Sequence, residues 1–176
     1  MAGKHFPVVN STLSAQALAD RVLSKYALDL PVRCQFIQKG VSDTYEVESG
    51  SYRLYLRVYR YSWRAKSEIE AEMAMFDLLD KHKQPVSRPV RRRDSAFLTR
   101  LRAPEGVRYA AIFTEALREE QGFTISRWRQ LGPLTANLHR NLDSMPVDNR
   151  RFHIDPKHRL DEPLQVISPF FERRKS

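Results

Sequence analysis

Apolar and polar residues alternate most regularly in residues 51–60. The even-numbered side chains from Tyr52 to Val58 are apolar and share one face, whereas Arg57 lies on the opposite face. Strict alternation of this kind predicts a strand with one buried face. Shorter patterns of the same type, bounded by glycine, proline and polar turn residues, predict four further strands at residues 32–39, 44–48, 95–101 and 108–114.

Helical spacing, with apolar residues every three or four positions, fills the segments between and after these strands. It predicts helices at residues 11–26, which Ser11 or Thr12 can cap, and at residues 66–82. Two later helices are expected from residue 125 and from about residue 158. Their apolar stripes are formed by Trp128, Leu131, Leu134 and Leu138, and by Leu160, Leu164, Ile167 and Phe171. This order of elements predicts an α+β chain: a five-stranded antiparallel sheet with flanking helices up to about residue 113, and then a helical part.

Length and composition limit the class of protein. The 176 residues are enough for a buried core, and 6 glycines and 10 prolines are too few for a low-complexity chain. The single cysteine, Cys34, excludes an intramolecular disulfide framework, and a reducing cytoplasm fits it best. Residues 1–10 contain no apolar run suited to a secretion signal, and no stretch is apolar enough for a membrane helix. We therefore expect a cytoplasmic protein that makes no membrane contact.

Positive charge is concentrated in one part of the chain. The net charge is +9, and residues 88–108 contain seven arginines against Asp94 and Glu105. A solvated surface and a contact site for an anionic partner both account for such a cluster. Direct nucleic-acid binding is not favoured, because the prolines and the glycine of this stretch indicate short strands and turns rather than a basic helix.

The turn Gly40-Val41-Ser42-Asp43-Thr44 separates two adjacent predicted strands. Such a turn can direct backbone N–H groups and a hydroxyl towards phosphate oxygens, and its glycine supplies conformational freedom. An ordinary hairpin turn has the same composition. The sequence therefore leaves two interpretations of this segment, a phosphate loop and a simple turn.

A cation and a carboxylate follow in the order that a kinase-type site uses. Arg57 shares a strand face with Tyr55, and the next helix carries Glu68 and Glu72 one turn apart. Arg57 can reach phosphates that lie over the sheet, and a helix glutamate can hold it by an ion pair. Alternatively, Arg57 is a solvated side chain and the glutamates pair with a neighbour such as Lys66.

Two runs of sequence, residues 36–47 and Tyr55-Leu56-Arg57-Val58-Tyr59, carry a resemblance to a known family. They resemble the start of the aminoglycoside phosphotransferase and choline kinase-like family, which has a small-molecule version of the protein-kinase fold. Residues 105–116 resemble the strand that enters the hinge between the two lobes of that family. Residues 131–139 are similar to the first long helix of its large lobe. Within the family, the sequence resembles the homoserine kinase-like and stress-response kinase-like branches more than the antibiotic-resistance enzymes.

The resemblance implies a protein-kinase-like small lobe and the first helices of a large helical lobe. The small nucleotide-binding lobe would comprise residues 1–114, the hinge residues 115–122, and the partial large lobe residues 123–176. ATP and Mg²⁺ would be the cofactors of the complete enzyme, and a small molecule with a hydroxyl group would be its substrate.

The resemblance also implies roles for individual residues. Arg57 would replace the strand lysine that contacts the phosphates, Glu72 would be its partner, and backbone groups of Glu115 and Ala116 would bind the adenine edge. Because arginine is a larger planar fork, this replacement changes the geometry of the contact. The phosphate loop would be formed by Gly40, Ser42, Asp43 and Thr44.

The catalytic loop of the family, His-x-Asp-x-x-x-x-Asn, has no full counterpart in the chain. His153-Ile154-Asp155 begins like it, but Leu160 stands where the asparagine belongs, and we interpret the segment as the approach to a helix. We therefore assign no catalytic residue and no metal ligand, and we expect that the catalytic loop lies outside the 176 residues. The chain would be either a truncated product or a protein that works without catalysis.

Two hypotheses of function follow. The first is the ATP-binding portion of a small-molecule phosphotransferase, inactive alone. The second is a non-catalytic interaction protein that uses the basic residues 88–108. In either case, the exposed apolar stripes of the later helices favour self-association or a covering partner.

Overall fold

A computed structural model describes residues 8–116, 124–145 and 154–172 of the chain. The chain divides into two compact units, Met1–Met145 and Pro146–Ser176. The described part of the first unit contains the strands β1 (Val32–Lys39), β2 (Ser42–Ser49), β3 (Tyr52–Tyr59), β4 (Pro89–Val90), β5 (Thr99–Ala103) and β6 (Gly106–Thr114). Its helices are α1 (Ala15–Arg21), a 3₁₀ turn (Leu23–Lys25), α2 (Lys66–Lys81) and α3 (Ile125–Asp143). The second unit has a π-helical turn (Lys157–Asp161) and α4 (Glu162–Glu172).

The strands form one antiparallel sheet in the order β1-β2-β3-β6-β4, and β5 also pairs with β6. The predicted α+β class and the antiparallel sheet are confirmed, with one strand more than expected. The additional strand, β4, has only two residues, too few to show an alternating pattern. The strand expected at residues 95–101 lies at Thr99–Ala103 instead. The chain turns at Ser95, whose φ is 66°, and the Ala96 carbonyl accepts the Arg92 N–H within this turn, so pairing with β6 begins only at Thr99.

Helices cover both faces of the sheet. On one face, Leu18 and Val22 of the α1 segment pack against Leu56 and Val58 of β3 in the larger core cluster. On the other face, α2 contributes Ile69 and Met73 to a cluster that includes Tyr59 and Phe113. The alternation of residues 51–60 therefore divides β3 between two cores, whereas the pattern predicted one buried face, because Tyr59 on the second face packs against α2.

The helix starts depend on contacts that differ from the sequence expectation. Helix α1 begins after Ser14, whose hydroxyl accepts the Ala17 N–H at 3.3 Å. The predicted cap at Ser11 is wrong, because the Ser11 backbone N–H and hydroxyl instead donate to the Glu105 carboxylate. Helix α2 starts after Ala65, and its first-turn Glu68 accepts the Ala65 N–H at 2.7 Å.

The later helices carry their apolar stripes on exposed surface. In α3 the side chains of Trp128, Leu131 and Leu134 are exposed, and in α4 those of Leu164 and Ile167 are exposed. Across the described ranges, no helix is both long and apolar enough to span a membrane. The predicted hinge, residues 115–122, is described only at its first two residues, and the rest of it lies outside the described residues.

Candidate functional site

The turn between β1 and β2 is held by two hydrogen bonds. The Gly40 N–H donates to the Ser42 carbonyl at 3.2 Å, and the Arg60 guanidinium donates to the Gly40 carbonyl at 2.8 Å. The positive-φ glycines among the described residues are Gly50 and Gly106, so the backbone conformation at Gly40 does not itself require glycine. A methyl group at Gly40 would meet only the Ser42 carbonyl, at 3.7 Å. The space beside the turn is therefore open.

Alternation in β2 divides the predicted phosphate-loop residues between the two faces of the sheet. Thr44 is paired in register with Arg57 of β3, and Ser42 with Tyr59. Both hydroxyls therefore lie on the face of the sheet that α2 covers, which we call the α2 face. Asp43 points to the opposite face. Its side chain is buried, and Oδ2 lies 2.6 Å from Nη2 of Arg108. The Asp43 carboxylate is therefore engaged away from Ser42 and Thr44, and its backbone is part of the ladder, opposite Lys39 of β1 and Val58 of β3.

Arg57 lies on this same face, half-buried between β2 and β6. Its guanidinium carbon is 4.4 Å from the centroid of the Phe113 ring, a cation–π distance. Among the described side chains, Arg57 has no carboxylate within ion-pair distance. The ring therefore fixes the position of the guanidinium and leaves its charge available to an anion.

Glu72 contacts a different residue from the one expected. Its Oε1 accepts a hydrogen bond from the Tyr59 hydroxyl at 3.4 Å, and it makes no ion pair with Arg57. Tyr59 is two residues beyond Arg57, so the alternation of the strand puts both side chains on the same face. The sequence pattern could therefore have identified Tyr59 as a second possible partner of Glu72. Glu68 is occupied by the start of α2 and by Arg64, at 3.6 Å. The sequence offered both Glu68 and Glu72 as contacts to the strand, and Glu72 is the one whose side chain reaches the sheet.

Glu115 and Ala116 follow directly after β6. The Glu115 carboxylate lies 3.4 Å from Nη1 of Arg53, and Nε of Arg53 lies 3.4 Å from Glu46. These ion pairs join the end of β6 to β3 and β2. The side chain of Glu115 is thus used within the sheet, and Ala116 is exposed.

Most arginines of residues 88–108 are bonded within the fold. Arg92 donates to the Leu98 carbonyl and Arg93 to the Tyr26 carbonyl, and Arg91 lies against Phe97. The engaged arginines are Arg88, Arg91, Arg92, Arg93 and Arg108. The exposed arginines of β5 are Arg100 and Arg102. Arg108 is buried, but five of the seven arginines are exposed, so an anionic-partner site at residues 88–108 stays a prediction.

The segment that begins like a catalytic loop has a structural role where it is described. Asp155 Oδ1 accepts the His158 N–H at 2.8 Å, which caps the following helical turn. This contact confirms the interpretation of Asp155 as part of a helix approach, while His153 lies outside the described residues.

Sequence comparison gives a family match over most of the chain. The profile described as "Phosphotransferase enzyme family" matches residues 33–169. An uncharacterized protein of Synechocystis sp. (strain PCC 6803) is 34% identical over 182 residues, which covers 99% of this chain and 49% of that protein. The chain spans about half the length of the curated relatives it matches.

Two solved structures that are similar to the chain in fold are described as kinases. A microcompartment-associated aminopropanol kinase has a TM-score of 0.66 and 24% identity, covering 85% of this chain and 48% of that one. Amicoumacin kinase in complex with AMP-PNP, Ca²⁺ and Ami has a TM-score of 0.68 and 16% identity, covering 88% and 48%. The six-stranded sheet and its flanking helices thus correspond to the small lobe of a kinase-like fold with some further helices.

Proposed function

The chain belongs to the phosphotransferase enzyme family, and from this membership we propose that its sheet domain binds the phosphates of ATP. The complete protein would transfer the γ-phosphoryl group to the hydroxyl of a small molecule. The observation that carries the proposal is Arg57, whose charge is unpaired among the described side chains, opposite Thr44 on the α2 face. An unpaired, half-buried cation beside two hydroxyls and an open turn suits a phosphate group.

The residues on the α2 face fit a polyphosphate in type and position. Arg57 provides a planar fork of N–H donors that can bond two phosphate oxygens at once. Ser42 and Thr44 add hydroxyl groups from the neighbouring strand, and the space beside Gly40 lets a phosphate approach the backbone of the turn. When bound, ATP would supply the transferable phosphoryl group, and these residues would hold and orient it.

Arg57 needs no helix carboxylate to stay in place. The Phe113 ring fixes the guanidinium by a cation–π contact, whereas the family's lysine would rely on an ion pair. Glu72 instead bonds the Tyr59 hydroxyl and connects α2 to β3 through that residue. We propose that Glu72 acts in this indirect way, by holding α2 against the strand that carries Arg57.

The proposed adenine contact lies at the end of β6. Backbone groups of Glu115 and Ala116, directly after β6, would bond the adenine edge.

In the part of the chain that the structure describes, no group of three His, Cys, Asp or Glu residues could hold a metal ion. Residues 1–176 also contain no His-x-Asp-x-x-x-x-Asn sequence. We therefore propose that these residues bind ATP without transferring phosphate on their own.

Calorimetric titration of the chain with ATP and with adenosine tests the proposal. Wild type should bind ATP more tightly than adenosine, and Arg57→Ala should weaken ATP binding by about tenfold or more. A charge-assisted hydrogen bond contributes roughly 1.5–3 kcal/mol, and a factor of ten is about 1.4 kcal/mol.

Arg102→Ala is the matched control, because it removes an exposed arginine of β5 that lies outside the site. It should leave ATP affinity unchanged. Equal losses in the two variants would mean that only overall charge matters. No ATP binding by wild type would refute the proposal itself.

A further inference from the structure

Arg108, near the start of β6, carries a fully enclosed charged side chain. It is 1% exposed. Its guanidinium makes hydrogen bonds to groups from four separate segments of the chain. The acceptors are Tyr59 O (2.9 Å), Val58 O (3.2 Å), Ser11 O (2.7 Å), Asp43 Oδ2 (2.6 Å) and Glu105 Oε1 (3.3 Å).

The carboxylates around Arg108 are buried with it. The side chains of Asp43 and Glu105 are 4% and 1% exposed. Glu105 also accepts hydrogen bonds from the Ser11 N–H and hydroxyl. Because a buried charge is costly unless it is paired and fully hydrogen-bonded, this cluster has a strongly preferred geometry. The sequence grouped Arg108 with the basic residues that could contact an anionic partner, but its side chain is buried and cannot do so.

The contacts of Arg108 converge on the two strands that carry the proposed phosphate ligands. Asp43 lies between Ser42 and Thr44 in β2. Val58 and Tyr59 directly follow Arg57 in β3. The β3–β6 ladder ends at the pair Val58 and Ala110, so the guanidinium bonds carbonyls at the point where backbone pairing stops.

We propose that Arg108, through Asp43, positions the β1–β2 turn and Thr44 relative to Arg57. The inference rests on the proposed phosphate-binding function of the α2 face. Arg108 lies on the opposite face of the sheet and does not touch the ligand. Its effect passes through the backbone: the Asp43 side chain is fixed from one face, and this sets where the neighbouring hydroxyls stand on the other.

The test compares ligands with and without phosphates in Asp43→Asn, which keeps the shape of the side chain but removes its charge. We expect about tenfold weaker binding of ATP and ADP, while adenosine binding stays within about twofold of wild type. The control is Leu18→Ala, which removes core contacts on the same face of the sheet but leaves the Asp43–Arg108 pair intact. This control should lower the melting temperature without changing the preference for ATP over adenosine.

Three outcomes overturn the proposal: unchanged ATP affinity in Asp43→Asn, an equal loss of ATP and adenosine binding, or the same loss in Leu18→Ala. If Asp43→Asn does not fold, Arg108→Lys replaces it, since this variant keeps the positive charge but removes the guanidinium fork that bonds Asp43. The same selective loss is then expected at about threefold, and its absence overturns the proposal.

Hydrogen exchange separates this inference from the proposed function, because it needs no nucleotide. The amides of residues 40–44 should exchange at least about tenfold faster in Asp43→Asn than in wild type, while those of the β3–β6 ladder stay protected. If wild type does not bind ATP, the proposed function fails and this measurement still decides the positioning role. Unchanged exchange at residues 40–44 overturns that role.

Discussion

Adding one methyl group at either of two glycines should separate folding from phosphate binding. Gly40 lies in the β1–β2 turn beside the proposed phosphate site, and Gly106 begins β6. A Cβ at Gly40 would have one neighbour, the Ser42 carbonyl at 3.7 Å. A Cβ at Gly106 would lie 2.4 Å from the Tyr61 ring, on a backbone with a φ of 141°.

The backbone angle sets the size of the effect at Gly106. The Tyr61 side chain is 44% exposed and can swing away, so the clash itself adds little. A φ of 141° is different, because non-glycine residues almost never adopt it and the strain is about 1–3 kcal/mol. For a chain of this size, ~2 kcal/mol lowers the melting midpoint by roughly 4–8 °C. Gly106→Ala should therefore be clearly destabilised.

Gly40→Ala should have the opposite profile. Alanine restricts the unfolded chain and fits the native backbone, so stability should stay the same or rise by about 0.4–1 kcal/mol. If phosphates approach the turn closely, the added methyl group should weaken ATP binding by about tenfold, or ~1.4 kcal/mol. Adenosine, which has no phosphate, should bind as it does to wild type.

Thermal unfolding and calorimetric titration of both variants give the answer. The expected result is a stable Gly40→Ala protein with weakened ATP binding, and a Gly106→Ala protein that is less stable but, at a temperature where it is folded, binds ATP normally. Unchanged ATP affinity in Gly40→Ala would refute a close phosphate contact at the turn. A Gly40→Ala protein as unstable as Gly106→Ala would refute the description of the turn as open.

Three further predictions concern titration, reactivity and association. Burial alone would raise the pKa of Glu105, but hydrogen bonds from Ser11 and the charge of Arg108 outweigh it and hold the pKa below the ordinary 4.5. The ionised Glu105 carboxylate therefore stabilises the fold fully above pH 4.5, and this stabilisation is lost as the pH falls below that value. Below pH 4.5 the melting temperature of wild type should fall more steeply than that of Glu105→Gln. Parallel curves for the two proteins would contradict this. Burial raises the pKa of the Cys34 thiol to about 11, so iodoacetamide at pH 8 should modify the native protein about a hundredfold more slowly than the unfolded protein; equal rates would contradict this. The exposed stripe of α4 should cause concentration-dependent association in sedimentation experiments that Leu164→Glu weakens, and a monomer at every concentration would exclude it.

The periodicity of the sequence was enough to predict most of the sheet. β1 was expected at residues 32–39 and occupies Val32–Lys39, and β3 lies within the predicted residues 51–60. Alternation works at this level because a strand fixes which side chains share a face. The same rule places Arg57 with Thr44 across the ladder. It also puts Asp43 on the same strand face as the buried Tyr45 and Val47, which predicts that Asp43 is buried. The polar composition around Asp43 had instead indicated an exposed turn.

Only the tertiary structure decided which side chains pair. Arg108 and Asp43 are 65 residues apart, and their bond exists because β6 and β2 both flank β3. The same holds for Arg57, which lies on Phe113 of β6, and for Glu72, which meets Tyr59 rather than Arg57. Local spacing gives the face of a residue but not the partner that it meets there. That partner depends on strand order and helix placement, which arise from contacts between segments far apart in the chain.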